Sequence, residues 1–491
     1  MYRLTCDGSQ QPPCAFKNPF VYLCDEYKRQ IISLQLQLGV FPLNSPFSIP
    51  YFTLSYARYC DLGYPERLTN DRYGLFVIKR LDFMMLKKIQ GKLVPQLVVL
   101  LTISLPFLHH DFSRRYNYQI ALVELLIIIA AILVYKRDFF ASLPTGSFEF
   151  KLIIGFLISA LISTLISPKI GMATHRYLSI IIWLTYLWLM VYLIQEKHLN
   201  PRTLIIAGAI SCLLPIAVFF ISYWMSDTDQ SLMATFQRLN YYSNIRHFGY
   251  HLTASCLLSF YFILNSSFNW KKLSVGLALI IINFSILLIT GSRQGILVTT
   301  LVLVTLLTLY YRRHCGKISV LLLAGTAMLV TMVYFNGGES LLLHLYERSS
   351  LEGLTSNRTE IWLTSLKRIG ENWPLGFGPE AFIALRKSMD IETFVHPHSI
   401  FVQSLMEWGV IGSLIYFSIL YRSLSTAFGN IDFKNLPSMN PVVVIAFFTL
   451  CGLLANSLID GIFYHVLPIY FASIAFAILC AKNCDINSQI E

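Results

Sequence analysis

Charge is what this sequence has least of. Only 13% of its 491 residues are charged, against 55% hydrophobic, where a soluble domain carries roughly a quarter charged residues. That scarcity excludes an ordinary water-soluble enzyme and points to a chain whose helices lie in lipid. Paired cysteines are missing too. None of the ten stands in CxxC spacing, which removes zinc-ribbon and dithiol motifs and leaves them as small apolar filler. The start of the chain lacks the basic, apolar, small-residue succession of a cleaved signal. The net charge of +11 would suit nucleic acid. Most Lys and Arg stand in short turns between apolar runs, however, the distribution that sets membrane orientation. Membrane lipid is the expected partner, and nucleic acid is not.

Residues 1–90 stand apart, with prolines (Pro12, Pro13, Pro42, Pro46, Pro50), aromatics and polar residues following no period. Met84 and Met85 precede Lys87, Lys88 and Lys92, a common opening for a polytopic chain. The leading segment is therefore expected to be dispensable, an over-extension of the reading frame. From there the apolar runs mark about twelve helical spans. They fall at 93–108, 117–135, 151–167, 176–194, 203–224, 247–265, 273–290, 295–311, 318–335, 399–421, 441–459 and 463–480. The expected fold is an all-α polytopic membrane protein. It comprises an N-terminal extension (1–90), nine spans (91–335), a large polar loop (336–398), three spans (399–484) and a short tail (485–491).

Basic residues set the orientation. Lys87 with Lys88, Lys136 with Arg137, Lys197 with Arg202, Lys271 with Lys272, Arg312 with Arg313, and Arg422 with Lys434 fall on alternate connections. Those connections are expected to be cytoplasmic, although Arg114 and Arg115 run against the trend. The 225–246 connection, the turn at Gly291–Gly295, the 336–398 loop and the turn at Asp460-Gly461 then emerge together on the other face. Four separate pieces of chain deliver polar groups to one side of a membrane.

In Thr290-Gly291-Ser292-Arg293-Gln294-Gly295 two helices meet with almost no linker, and glycine permits the sharp reversal. Arg293 sits at the apolar boundary, where a cation either holds an anionic ligand or snorkels to the headgroups. Arg246, in Asn244-Ile245-Arg246-His247-Phe248-Gly249 at a span entrance, poses the same choice. Two guanidiniums suit a diphosphate, because each grips phosphate with a fork and cannot be neutralised.

In the long loop, Asn357 and Glu360 make a capping-box start, and Ile361, Trp362, Leu366 and Ile369 then share one helical face. Arg358 falls in that helix's first turn, where the dipole disfavours a cation, so it is expected to face a ligand or a carboxylate. Pro374-Leu375-Gly376-Phe377-Gly378-Pro379 breaks the chain, with Pro379 placed to open the next helix.

His396-Pro397-His398 closes the loop. Proline pushes His396 into an extended conformation. Pro397 itself suits the first turn of the next span, which sets His398 at that helix's positive end. Imidazolium is disfavoured there, so His398 stays neutral and able to take a proton, as a general base must. The same helix end attracts phosphate. Two interfacial histidines bonded to backbone, or a metal-binding pair, would read alike. Asp390-Ile391-Glu392 offers an acidic pair for a divalent cation, a spacing common by chance. Glu407, near the opposite face of the following span, reads as a packing acid.

Taken in order, these pieces resemble the O-antigen ligase and polymerase superfamily of bacterial envelope enzymes. The residues that carry the resemblance are Gly291-Ser292-Arg293-Gln294-Gly295, Asn357-Arg358 with Ile361-Trp362, and Pro374-x-Gly376-x-Gly378. It continues through His396-Pro397-His398-Ser399 and Glu407-x-Gly409-x-x-Gly412, covering 240–415 and leaving out residues 1–90. Ser399 stands where the family usually has asparagine.

The resemblance implies a GT-C-like glycosyltransferase of the bacterial inner membrane, without a cofactor, whose active site faces the periplasm. The implied donor is an undecaprenyl-diphosphate-linked glycan, and the acceptor is the lipid A core of lipopolysaccharide or another glycan. Arg246, Arg293 and Arg358 would stabilise the diphosphate, and His398 would deprotonate the acceptor hydroxyl. His396 and Ser399 would contact substrate, and the attacked carbon would invert without a metal. An O-antigen polymerase or a protein O-oligosaccharyltransferase would share these motifs. A lipid-linked-sugar transporter is the non-enzymatic alternative, although transporters place charge near the bilayer midplane.

Overall fold

The computed structural model describes residues 91–105, 116–224, 245–265, 269–290, 292–310, 325, 358–391 and 396–481. The chain divides into two units, Met1–Asp82 and Phe83–Glu491. The first lies outside the described residues, as do the expected span 318–335 apart from residue 325 and the pair Arg114 and Arg115.

Among the described residues every regular element is helical. The long helices are α1 (Gly91–Leu105), α2 (Tyr116–Tyr135), α3 (Phe148–Leu165), α4 (Ile170–Gln195), α5 (Pro201–Ile210), α6 (Leu213–Trp224) and α7 (Ile245–Leu264). They continue with α8 (Trp270–Ile289), α9 (Arg293–Tyr310), α10 (Arg358–Ile369), α11 (Ile400–Gly429), α12 (Pro441–Asp460) and α13 (Val466–Cys480). Each expected span other than 318–335 coincides with helix, and 203–224 is broken in two at Ser211-Cys212. The starts follow from local chemistry. Asn200 and Asn440 each cap a helix with a side-chain oxygen while Pro201 and Pro441 fill its first position, where a missing N–H costs nothing.

Among the described residues, seven helical stretches are long and apolar enough to cross a membrane, with α5 and α6 counted together over Pro201–Ile221; α1, α9 and α13 are apolar but shorter. In α2, Leu122, Leu126, Ile129 and Leu133 lie exposed, Leu133 by 69%, while Ile120, Ile127, Ile128 and Ala131 are buried. Both faces are apolar, as a helix between protein and lipid requires. The protein is a helical membrane protein.

Helix α7 lies outside that set of seven for a physical reason. It packs against α5, α8, α9, α12 and α13, and every residue from His251 to Tyr261 is buried, so it can carry polar side chains that neighbours satisfy. Ser211 Oγ lies 2.6 Å from His251 Nε2. Ser255 donates to the Ala209 carbonyl at 2.7 Å and accepts from Asn283 Nδ2 at 3.1 Å. A second polar group sits between α1, α4 and α13. The Tyr470 hydroxyl meets Thr102 Oγ1 at 3.0 Å and the Tyr186 hydroxyl at 3.2 Å, with the buried carboxyl of Glu124 near enough to act on both tyrosines.

Among the described residues, the basic connections share one end of the bundle. The Tyr135 hydroxyl donates to the Gly91 carbonyl at 3.0 Å, and its ring stacks on His198 at 4.9 Å. Arg202 lies over the Tyr261 ring at 5.9 Å, and Arg422 pairs with Glu149 at 2.6 Å. Chain order then brings the ends of α3, α6, α8 and α12 together with the starts of α4, α7, α9, α11 and α13 at the opposite end.

Candidate active site

The loop ahead of α11 carries a small core of its own. Ile361 and Ile369 of α10 pack with Ala381, Phe382 and Leu385 of a short helix, with Met389 and Ile391, and with Val402 and Met406 of α11. The buried stripe of α10 is Ile361, Ser365 and Ile369, with Trp362 half-buried. Leu366, expected on that face, is exposed, because the i, i+4, i+8 register leaves it one position past the stripe. Asn357 lies outside the described residues. The next helix starts at Ala381 rather than at Pro379. Glu380 intervenes in the left-handed conformation, φ 63°, which no helix tolerates.

Gly376 and Gly409 make the joint between loop and span. Inside α11, Gly409 adopts φ 60° and ψ −169°, a region open essentially to glycine alone. The helix ladder breaks there, and the loop backbone replaces it. The N–H groups of Val410 and Ile411 donate to the carbonyls of Trp373 and Pro374 at 2.8 and 3.2 Å. In return the N–H groups of Phe377 and Gly378 donate to the carbonyls of Met406 and Glu407 at 2.8 and 2.9 Å. The two chains approach so closely that a Cβ on Gly376 would lie 2.5 Å from the Gly409 nitrogen. Ser163 Oγ on α3 also donates to the Glu407 carbonyl. The Glu407 side chain is buried and accepts from the Glu380 N–H at 3.3 Å and from Gln403 Nε2 at 3.2 Å. Buried Arg176 of α4 acts on it electrostatically, favouring its charged form.

Pro397 is not in the helix. Helix α11 begins at Ile400 with Ser399 as its N-cap, so His398 stands one residue before the cap, buried, with φ 53°. A left-handed non-glycine residue costs on the order of 1–3 kcal/mol and persists only where its surroundings hold it. Here they do. The His398 N–H donates to His396 Nδ1 at 3.3 Å, and Trp362 Nε1 donates to the Pro397 carbonyl at 2.8 Å. A Cβ on Gly461 would lie 3.4 Å from His398 Cα and 3.1 Å from the Ser399 nitrogen.

Separate pieces of chain meet at this turn. The His396 and His398 rings lie 4.0 Å apart, centroid to centroid. His465, the N-cap of α13, packs 5.2 Å from His396 and 3.9 Å from His247 of α7. Two residues beyond His247, a Cβ on Gly249 would lie 2.8 Å from Ser292 Cβ, so the 290–293 turn closes on the start of α7. Arg246 and Arg293, the second residue of α7 and the first of α9, therefore enter the same neighbourhood by backbone placement. Arg358, half-buried, opens α10 one turn before Trp362 and on the same side. Of the Asp390-Ile391-Glu392 run, Asp390 is exposed and Glu392 lies outside the described residues. Among the described residues no three of His, Cys, Asp and Glu are grouped to hold a metal ion.

Residues 277–417 match the family model of the O-antigen ligases. The match places this segment in the O-antigen ligase superfamily. It takes in Arg293, Arg358, the Gly376–Gly409 joint and the His396–Ser399 turn, and it supports glycosyl transfer of the O-antigen ligase or polymerase type. No curated protein matched the chain.

The sequence assigned no role to His247, His465 or Arg176. His247 stood in the Arg246 stretch, and His465 stands just past the Asp460-Gly461 turn already expected on this face, so nearness to those features was the available signal. Arg176, at the edge of an apolar run, gave none.

Proposed function

We propose that this protein transfers a glycan from an undecaprenyl-diphosphate carrier to the lipid A core of lipopolysaccharide, on the periplasmic side of the bacterial inner membrane. What carries the reading is one turn. A histidine held left-handed and buried beside a helix start lies at the end of the bundle remote from the basic connections, inside the segment that matches the O-antigen ligases. The remaining spans, to about twelve, complete the scaffold.

The acceptor hydroxyl oxygen attacks the anomeric carbon of the donor sugar. Its proton passes to a ring nitrogen of His398, and the bond from that carbon to the diphosphate breaks with its electron pair on oxygen. The attack from the opposite face inverts the carbon. A polyprenyl diphosphate is already a good leaving group, so what it needs is charge stabilisation, which Arg246, Arg293 and Arg358 supply without a metal. Arg246, His396 and Ser399 contact the substrates, and both lipid substrates enter sideways from the bilayer.

Purified protein incubated with a lipid-linked glycan, core lipopolysaccharide and EDTA tests the whole reading. Glycosylated core is expected. Extension of the lipid-linked glycan instead would make the protein a polymerase, and glycosylation of a protein acceptor would make it an O-oligosaccharyltransferase. Passage of the glycan across vesicles without any bond formed would make it a transporter.

A further inference from the structure

We infer that His396 is a positioning residue, whose Nδ1 fixes the backbone of His398 and so aims the base. The inference rests on His398 being the proton acceptor of the proposed transfer. Its geometry is that of a side chain closing a turn on the second residue beyond it. The imidazole Nδ1 accepts from the His398 N–H at 3.3 Å, and Pro397 between them has no N–H and a fixed φ. Because a backbone N–H can only donate, Nδ1 of His396 carries no proton.

The usual device for fixing a helix entrance is absent here, since Ser399 makes no side-chain capping bond to the first turn of α11. The positive φ of His398, 53°, is instead held from outside the helix. His396 supplies the acceptor, Trp362 ties the intervening carbonyl, and Gly461 leaves room for the backbone. His465 and His247 act one step further out. With His465 edge-on at 5.2 Å and the His398 ring at 4.0 Å, the His396 ring is wedged by two other imidazoles. His247, 3.9 Å behind His465, backs that wedge from α7. The histidines thus make a packed file in which the His398 ring takes the proton and the others set its place.

Two substitutions separate the two nitrogens of His396. Asparagine places its Oδ1 where Nδ1 stands and forms the same kind of turn, whereas glutamine reaches toward the Nε2 position and leaves the His398 N–H unsatisfied. A displacement of about 1 Å in a reacting group costs on the order of 10²-fold in rate. In the reconstituted transfer assay, His396→Asn is therefore expected to keep a kcat at least about tenfold above that of His396→Gln, with similar KM for both lipid substrates. Equal rates, or glutamine above asparagine, would overturn the inference by assigning the ring's work to Nε2.

If the glutamine variant does not purify as a single species in detergent, His396→Leu, which has bulk and no acceptor, takes its place in the same comparison. His398→Ala runs alongside. Full activity of that variant would remove the proposed base itself. An inactive His398→Ala with indistinguishable His396 variants would remove only the positioning role.

Discussion

The two ends of this helix bundle reverse the chain in different ways. Among the described residues of the basic end the reversals are conventional: asparagine caps at Asn200, Asn269 and Asn440, prolines at the first helical position, and left-handed residues only at exposed Lys136 and Lys197. At the other end left-handed residues recur in buried places. Gly376, Gly378, Glu380, His398, Gly409 and Gly461 all have positive φ there, and backbone of one segment completes the hydrogen bonding of another. A turn that only reverses direction can be cheap and wet. A turn that must present a chosen atom to a substrate is strained, buried and held by its neighbours.

If that contrast is sound, substitutions at the two ends should differ sharply. The largest effect is expected for His398→Ala, a loss of transfer of about 10³-fold or more with the protein still in the membrane. A variant active at wild-type rate in reconstituted vesicles would break the contrast at its centre.

Gly409→Ala comes next. A Cβ there would lie 2.4 Å from the Pro374 carbonyl oxygen in a conformation alanine does not adopt. A destabilisation of at least ~3 kcal/mol is expected from that strain. Thermal unfolding in detergent measures it, and an unchanged midpoint would mean that the joint is looser than its hydrogen bonds imply. Arg293→Lys sharpens the comparison differently, exchanging a fork for a point charge. Transfer should fall about 10- to 100-fold with stability unaffected; equal activity would take Arg293 off the diphosphate. Smallest is Arg422→Ala at the basic end, where a half-exposed pair with Glu149 is worth at most ~0.5 kcal/mol. Melting temperature and transfer rate should both stay near those of the parent, and a large loss of either would erase the difference between the ends.

The places where expectation and structure part follow the same division. Helix positions were legible because apolar runs must be near span length in lipid, and the turns at 290–293 and 460–465 were legible because glycine and charge interrupt such runs. Leu366 was misplaced by one position in the register of its own helix; Pro379 and Pro397 were misplaced because each was assigned by a local rule in a segment whose conformation is set by contacts with a distant one. No local pattern announces that Gly409 receives the backbone of Trp373 and Pro374, or that His465 packs on His396 and His247.

The sequence by itself determined that this chain is a bundle of membrane helices, that its basic connections alternate, and that His398 closes a polar loop before a span. Those properties depend on composition and on spacing along one segment. Only the tertiary structure decided that α7 is the buried centre, that α11 is opened at Gly409 to take in the loop, and that four imidazoles form one file. Each of these depends on surfaces brought together from far apart in the chain, and which face of a uniformly apolar helix turns inward is chosen by the neighbours it meets.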